Sequence, residues 1–157
     1  MSTYNEQMQR LFRQYQAEVG ITGPTTLKDV GVWAIGKRLW QPQPEAVLRQ
    51  FSADMGKALR EEYYNDPQGR RVRTKHPARL PSSEEGEQIV MVWDDIRVAT
   101  REHMQLSFQQ RRHGVVADCH QLKIDVESFN DNRNPGEPIQ ISFDFRADME
   151  ELEVVLT

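Results

Sequence analysis

Arg70, Arg71, Arg73, Lys75 and Arg79 fall within ten consecutive residues that hold no acid. Cationic groups at this density attract polyanions, because each one that meets a nucleic-acid phosphate releases a condensed counterion. The chemistry they offer is phosphate recognition. The residue types suited to bond-making do not converge in the same way. Asp118, Cys119 and His120 are the types of a nucleophilic triad, yet consecutive helical residues project about 100° apart and share no focus. His113 and His120 stand seven apart, beyond the i, i+4 spacing by which one helix ligates a metal. His76 and His103 have no partner visible in the sequence, and Asp94-Asp95 reads as the start of a turn. No glycine-rich phosphate loop occurs. The expectation is a non-enzymatic chain with no metal site and no cofactor.

The elements that position the cations follow from hydrophobic spacing. Tyr4, Met8, Leu11, Phe12, Tyr15 and Val19 share one face of a helix over residues 4–19, closed by Gly20 and Gly23-Pro24. A second helix starts at Thr25 or Thr26, where a hydroxyl can cap free amides, and runs to about Leu39 with Leu27, Val30, Trp33 and Ala34 inward. Pro44 suits the first turn of a third helix reaching about Tyr64, with Val47, Leu48, Phe51, Met55, Ala58 and Leu59 on one face. Residues 65–69, Asn-Asp-Pro-Gln-Gly, mark a turn. From Arg71 onward the odd positions carry Arg, Arg, Lys, Pro and Arg, while Val72, Thr74, His76, Ala78 and Leu80 take the even ones. That is strand alternation with a basic outer face. Ile89, Val90, Met91, Val92 and Trp93 supply the partner strand of a hairpin.

Beyond Thr100, Met104, Phe108, Arg111, Val115, Cys119, Leu122, Val126 and Phe129 recur every three or four residues. Such a seam needs a partner, either the N-terminal helices or the same helix of a second subunit. Three helices, a basic hairpin and a long helix give an α+β, mostly helical chain with the element order of a winged helix. The expected organisation is a winged-helix-like domain over 1–97, a long helix and possible dimerisation element over 98–130, and a linker, apolar peptide and acidic tail over 131–157. In that arrangement Arg49, Lys57 and Arg60 would face the major groove of double-stranded DNA, with Arg70, Arg71, Arg73, Lys75 and Arg79 on the phosphates. Glu61 and Glu62 on the third helix, and Glu84, Glu85 and Glu87 at the hairpin tip, oppose such contact.

Length and composition bound the rest. The 157 residues suffice for one core with appendages. With no apolar run of about 18 residues and no basic, then apolar, N-terminal leader, the chain reads as cytoplasmic. A lone cysteine, Cys119, excludes an internal disulfide and a multi-cysteine zinc site. The acidity gathers in the tail, where six carboxylates from Glu137 to Glu153 stand against Arg146.

After the chain-breaking residues 130–138, Ile139, Ile141, Phe143 and Phe145 alternate with Gln140, Ser142 and Asp144. This is the pattern of a half-buried strand beside the hairpin, or of a displayed docking peptide. Gln140, Ile141, Ser142, Phe143, Asp144 and Phe145 resemble the short peptide by which bacterial polymerases and repair proteins dock on the sliding clamp. The resemblance implies that Gln140 bonds at a pocket rim while Ile141, Phe143 and Phe145 fill apolar subsites. The stretch from Asp118 to Phe145 also resembles an uncharacterised family of bacterial proteins, which implies no activity. Two functions remain open on the sequence: a homodimeric DNA-associated accessory factor of replication or transcription with a clamp-docking peptide, or a protein-interaction subunit that leaves nucleic acid alone.

Overall fold

The computed structural model describes residues 2–20, 23–81 and 89–156. The architecture is α+β and mostly helical, with two small antiparallel sheets. It divides into two compact units, Met1–Gly56 and Lys57–Thr157. The division falls inside the third helix.

In the first unit, α1 (Tyr4–Val19) opens on a capping box in which Thr3 and Glu6 exchange side-chain to backbone bonds. Gly20 ends it at φ 73°, a left-handed conformation that glycine adopts without strain. α2 (Leu27–Gly36) is capped by Thr26, whose hydroxyl accepts from the Asp29 amide. It stops three residues short of Leu39 because Arg38 turns to φ 59° and the Leu39 amide closes onto the Ala34 carbonyl. Tyr15, Val30 and Ala34 form the small core, with Tyr15 edge-on to Trp33 at 5.3 Å. Beside it lies an open apolar groove of about 620 Å³ lined by Met8, Leu11, Phe12, Ile35 and Trp40.

The third helix, α3 (Ala46–Arg60), ends four residues earlier than expected. Its apolar face is also not inward: Val47, Leu48, Phe51 and Met55 are all exposed. Tyr63 and Tyr64 leave the helix because β1 (Tyr63–Asn65) pairs antiparallel with β2 (Arg71–Arg73) across the turn at Asp66 to Gly69. Asp66 holds that turn, its carboxylate accepting from the Gln68 and Arg70 amides, and Gly69 takes φ 83°.

The single strand expected from Arg71 onward is two strands. Thr74 separates them, since its amide donates to the Glu62 carbonyl while its own carbonyl accepts from the Ile96 amide. β3 (Lys75–Pro81) then pairs antiparallel with β4 (Ile89–Asp95), from Lys75 opposite Asp95 to Pro81 opposite Ile89. The expected hairpin is therefore present, and its tip, with Glu84, Glu85 and Glu87, lies outside the described residues. Thr74, His76 and Ala78 are buried and Leu80 is not, so alternation holds over the strand's first half.

α4 (Arg101–Asn132) matches the expected long helix, about 48 Å at 1.5 Å per residue. Thr100 caps it and Asp95 shapes the turn before it, its carbonyl accepting from the Val98 and Ala99 amides. Residues 138–145 are not a strand. Asn130 takes the place of a strand partner, its side-chain amide donating to the Ile139 carbonyl at 2.8 Å and its oxygen accepting from the Ile139 amide at 2.9 Å. The acidic tail, expected as an appendage, forms α5 (Arg146–Leu156).

Candidate nucleic-acid interface

β3 and α4 build the site together. A strand at a sheet edge presents unpaired amides and carbonyls. Here α4 satisfies those of β3 turn by turn: His103 Nε2 donates to the His76 carbonyl at 2.9 Å and Ser107 Oγ to the Pro77 carbonyl at 2.6 Å. Gln110 then copies a strand, donating to the Arg79 carbonyl at 2.9 Å while its oxygen accepts from the Arg79 amide at 2.8 Å. Pro77, which has no N–H, sits where none is needed. His76 points inward, donating from Nε2 to the Arg73 carbonyl at 2.7 Å and meeting the Phe108 ring edge-on at 5.7 Å. Burial holds its pKa below the ordinary value, with the nearby Arg111, Arg73 and His103 acting the same way.

The odd positions of the strand therefore face a pocket of about 200 Å³ whose other wall is α4. Arg60, Arg73, Lys75, Arg79 and Arg111 line it together with Ser107 and Gln110, and no carboxylate does. The cations are not equivalent. Lys75 is matched by Asp95 at 2.9 Å and borders Glu62 at 4.0 Å, and Arg70, outside the pocket, is matched by Asp66 at 2.7 Å. Arg60 stacks on Trp93 at 5.1 Å and Arg71 on Tyr63 at 4.2 Å, which orients both without cancelling charge. Arg73, Arg79 and Arg111 have no carboxylate partner among the described residues. Partial desolvation, then the charge of Arg73, lowers the Arg111 pKa, as crowded like charges do. What this arrangement can do is hold a compact anion between a strand and a helix.

Of the residues singled out in the sequence, Arg60, Arg73, Lys75 and Arg79 meet here. Lys57 does not line the pocket, and Arg49 belongs to the first unit. Arg70 and Lys75 each lie against a carboxylate of the same chain, Asp66 and Asp95. Arg111, Gln110 and Ser107 were missed, although His103, Ser107, Gln110, Arg111 and Gly114 form a polar stripe at spacings of four, three, one and three. That stripe was the available signal.

The chain matches no protein-family model, and no curated protein or solved structure is significantly similar to it. Function has to be read from the residues.

The C-terminal peptide is a second candidate surface. Ile141, Phe143 and Phe145 remain 36–40% exposed, the two rings meeting edge-on at 6.5 Å. Gln140 is exposed, and residues 139–143 border α4 at Lys123, Val126, Glu127 and Asn130. Among the described residues no group of three or more His, Cys, Asp and Glu side chains could hold a metal ion. No helix among them is long and apolar enough to cross a membrane.

Proposed function

We propose that this chain binds double-stranded DNA through its phosphate backbone, the pocket between β3 and α4 seating phosphate groups, and that it does so without catalysing a reaction. One observation carries the reading: Arg73, Arg79 and Arg111 line one pocket with no carboxylate partner among the described residues, while Arg70 is paired with Asp66 and Lys75 shares Asp95 with Arg97. A convergent, uncompensated set of guanidinium groups recognises phosphate bidentately, and its contacts are insensitive to base sequence. In the winged-helix version of this reading, Lys57 of α3 adds a groove contact.

Fluorescence anisotropy on a labelled random duplex tests it. With about three phosphates neutralised, affinity falls about 40-fold between roughly 50 and 200 mM salt. Replacing Arg73, Arg79 and Arg111 together with glutamate abolishes binding. Absence of binding at low salt, or a triple variant that binds like the parent, refutes the proposal.

A second reading is favoured by the exposed aromatic pair of the C-terminal peptide. Residues 140–145 then dock on a protein partner, a sliding clamp in the version that the resemblance implies, with Gln140 at the rim and Ile141, Phe143 and Phe145 as anchors. Replacing Gln140, Phe143 and Phe145 with alanine removes clamp binding in a pull-down with purified clamp. Wild-type protein that fails to bind the clamp excludes that version.

A further inference from the structure

α4 is fastened along only part of its surface. His103, Ser107 and Gln110 hold its first half to β3, and residues 139–143 border it near Val126 and Asn130. Phe108, Val115, Cys119, Leu122, Val126 and Phe129 recur at steps of seven, four, three, four and three, with Phe108 touching His76 and Val126 bordering residues 139–143 at the edges of this seam. That is the 3.5-residue seam of a helix paired with another helix. Its large side chains stay open: Val115 is 53%, Leu122 42% and Phe129 43% exposed.

Charge identifies what covers this face. Residues 101–116 carry Arg101, Arg111 and Arg112 against Glu102, whereas residues 117–132 carry Asp118, Asp125, Glu127 and Asp131 against Lys123. A parallel pair of such helices sets like charge on like; an antiparallel pair sets each basic half on an acidic one. Among the described residues, Arg112 has no carboxylate partner and Asp125 accepts from the Gln121 side-chain amide alone, at 2.9 Å. Both charges are available.

We propose that two copies of this chain associate through antiparallel pairing of α4, with the two-fold axis near Asp118 and Cys119, the midpoint of the seam from Phe108 to Phe129. Phe108 then approaches Phe129 of the second copy, and Arg112 lies within about one turn of Asp125 of the second copy. The pocket-lining Ser107, Gln110 and Gly114 sit on a face about 100° away, while Arg111, one turn from Phe108, lies at the edge of the seam. This inference does not rest on DNA binding.

Sedimentation velocity of the full chain over about 1–100 µM tests it, with circular dichroism confirming that each variant keeps its helices. The parent forms a dimer, and Leu122→Asp, at an already exposed position, makes it monomeric. Arg112→Glu or Asp125→Arg alone weakens the dimer about tenfold or more, and the two together restore it to within about threefold of the parent. A parent that stays monomeric overturns the proposal, as does a dimer indifferent to Leu122→Asp. A double variant no tighter than either single one overturns the antiparallel orientation.

Discussion

Arg111 and Lys75 line one pocket and differ in what already satisfies them, so they should respond differently to the same change. Arg111→Gln should weaken binding to random duplex and reduce the salt slope by about one, whereas Lys75→Gln should change the slope less, because Asp95, which Lys75 shares with Arg97, offsets part of its charge. Titrating each variant against salt checks this. His76 makes a second prediction. Its folded-state pKa lies below the ordinary 6.5 because burial disfavours the imidazolium. Below pH 6.5 the unfolded chain therefore takes up a proton that the folded chain resists, and stability present above that pH is lost as acid is added. Urea unfolding at pH 7.5 and at pH 5.5 should show the loss, and His76→Gln should lessen it. At this scale Arg73 and Arg79 were legible, since strand alternation alone puts them on one face. Arg111 was not, because its three-residue step from Phe108 placed it on the apolar seam, and only the packing of β3 shows that it lines the pocket.

The edge of β3 is closed by side chains rather than by another strand. Gln110→Ala should cost about 1–2 kcal/mol, since it removes two bonds to the Arg79 backbone at a site water can reach. Chemical denaturation measures that loss, and the size of the midpoint shift decides whether the contact matters. α1, the hairpin and α4 could be read from the sequence because each repeats its apolar pattern over many residues. β1 could not: Tyr63 and Tyr64 follow a helical pattern without a break, and what makes them a strand is Arg71–Arg73 returning across the Asp66 turn. The strand expected at 139–145 failed for a related reason. Alternation shows that a segment is extended with two unlike faces, but it does not show whether a strand or an asparagine will accept its hydrogen bonds.

The two units differ in how firmly their helices are held. In the first, α3 leaves Val47, Leu48 and Phe51 in water, while in the second α4 is bonded to β3 over three successive turns. Hydrogen exchange should therefore be faster in residues 46–55 than in 101–112, and mass-resolved exchange of peptides from the two helices checks it. Net charge and local charge differ: the chain carries −4 overall, yet its pocket is cationic, so the DNA binding proposed for it would depend on where charge sits and not on its sum. One small fastening also carries a chemical vulnerability. Asn130 both gives and receives a hydrogen bond at Ile139, a pairing that its carboxamide makes with one planar group; deamidation would leave a carboxylate facing the Ile139 carbonyl, two acceptors opposed, and that tie of the terminal segment would be lost.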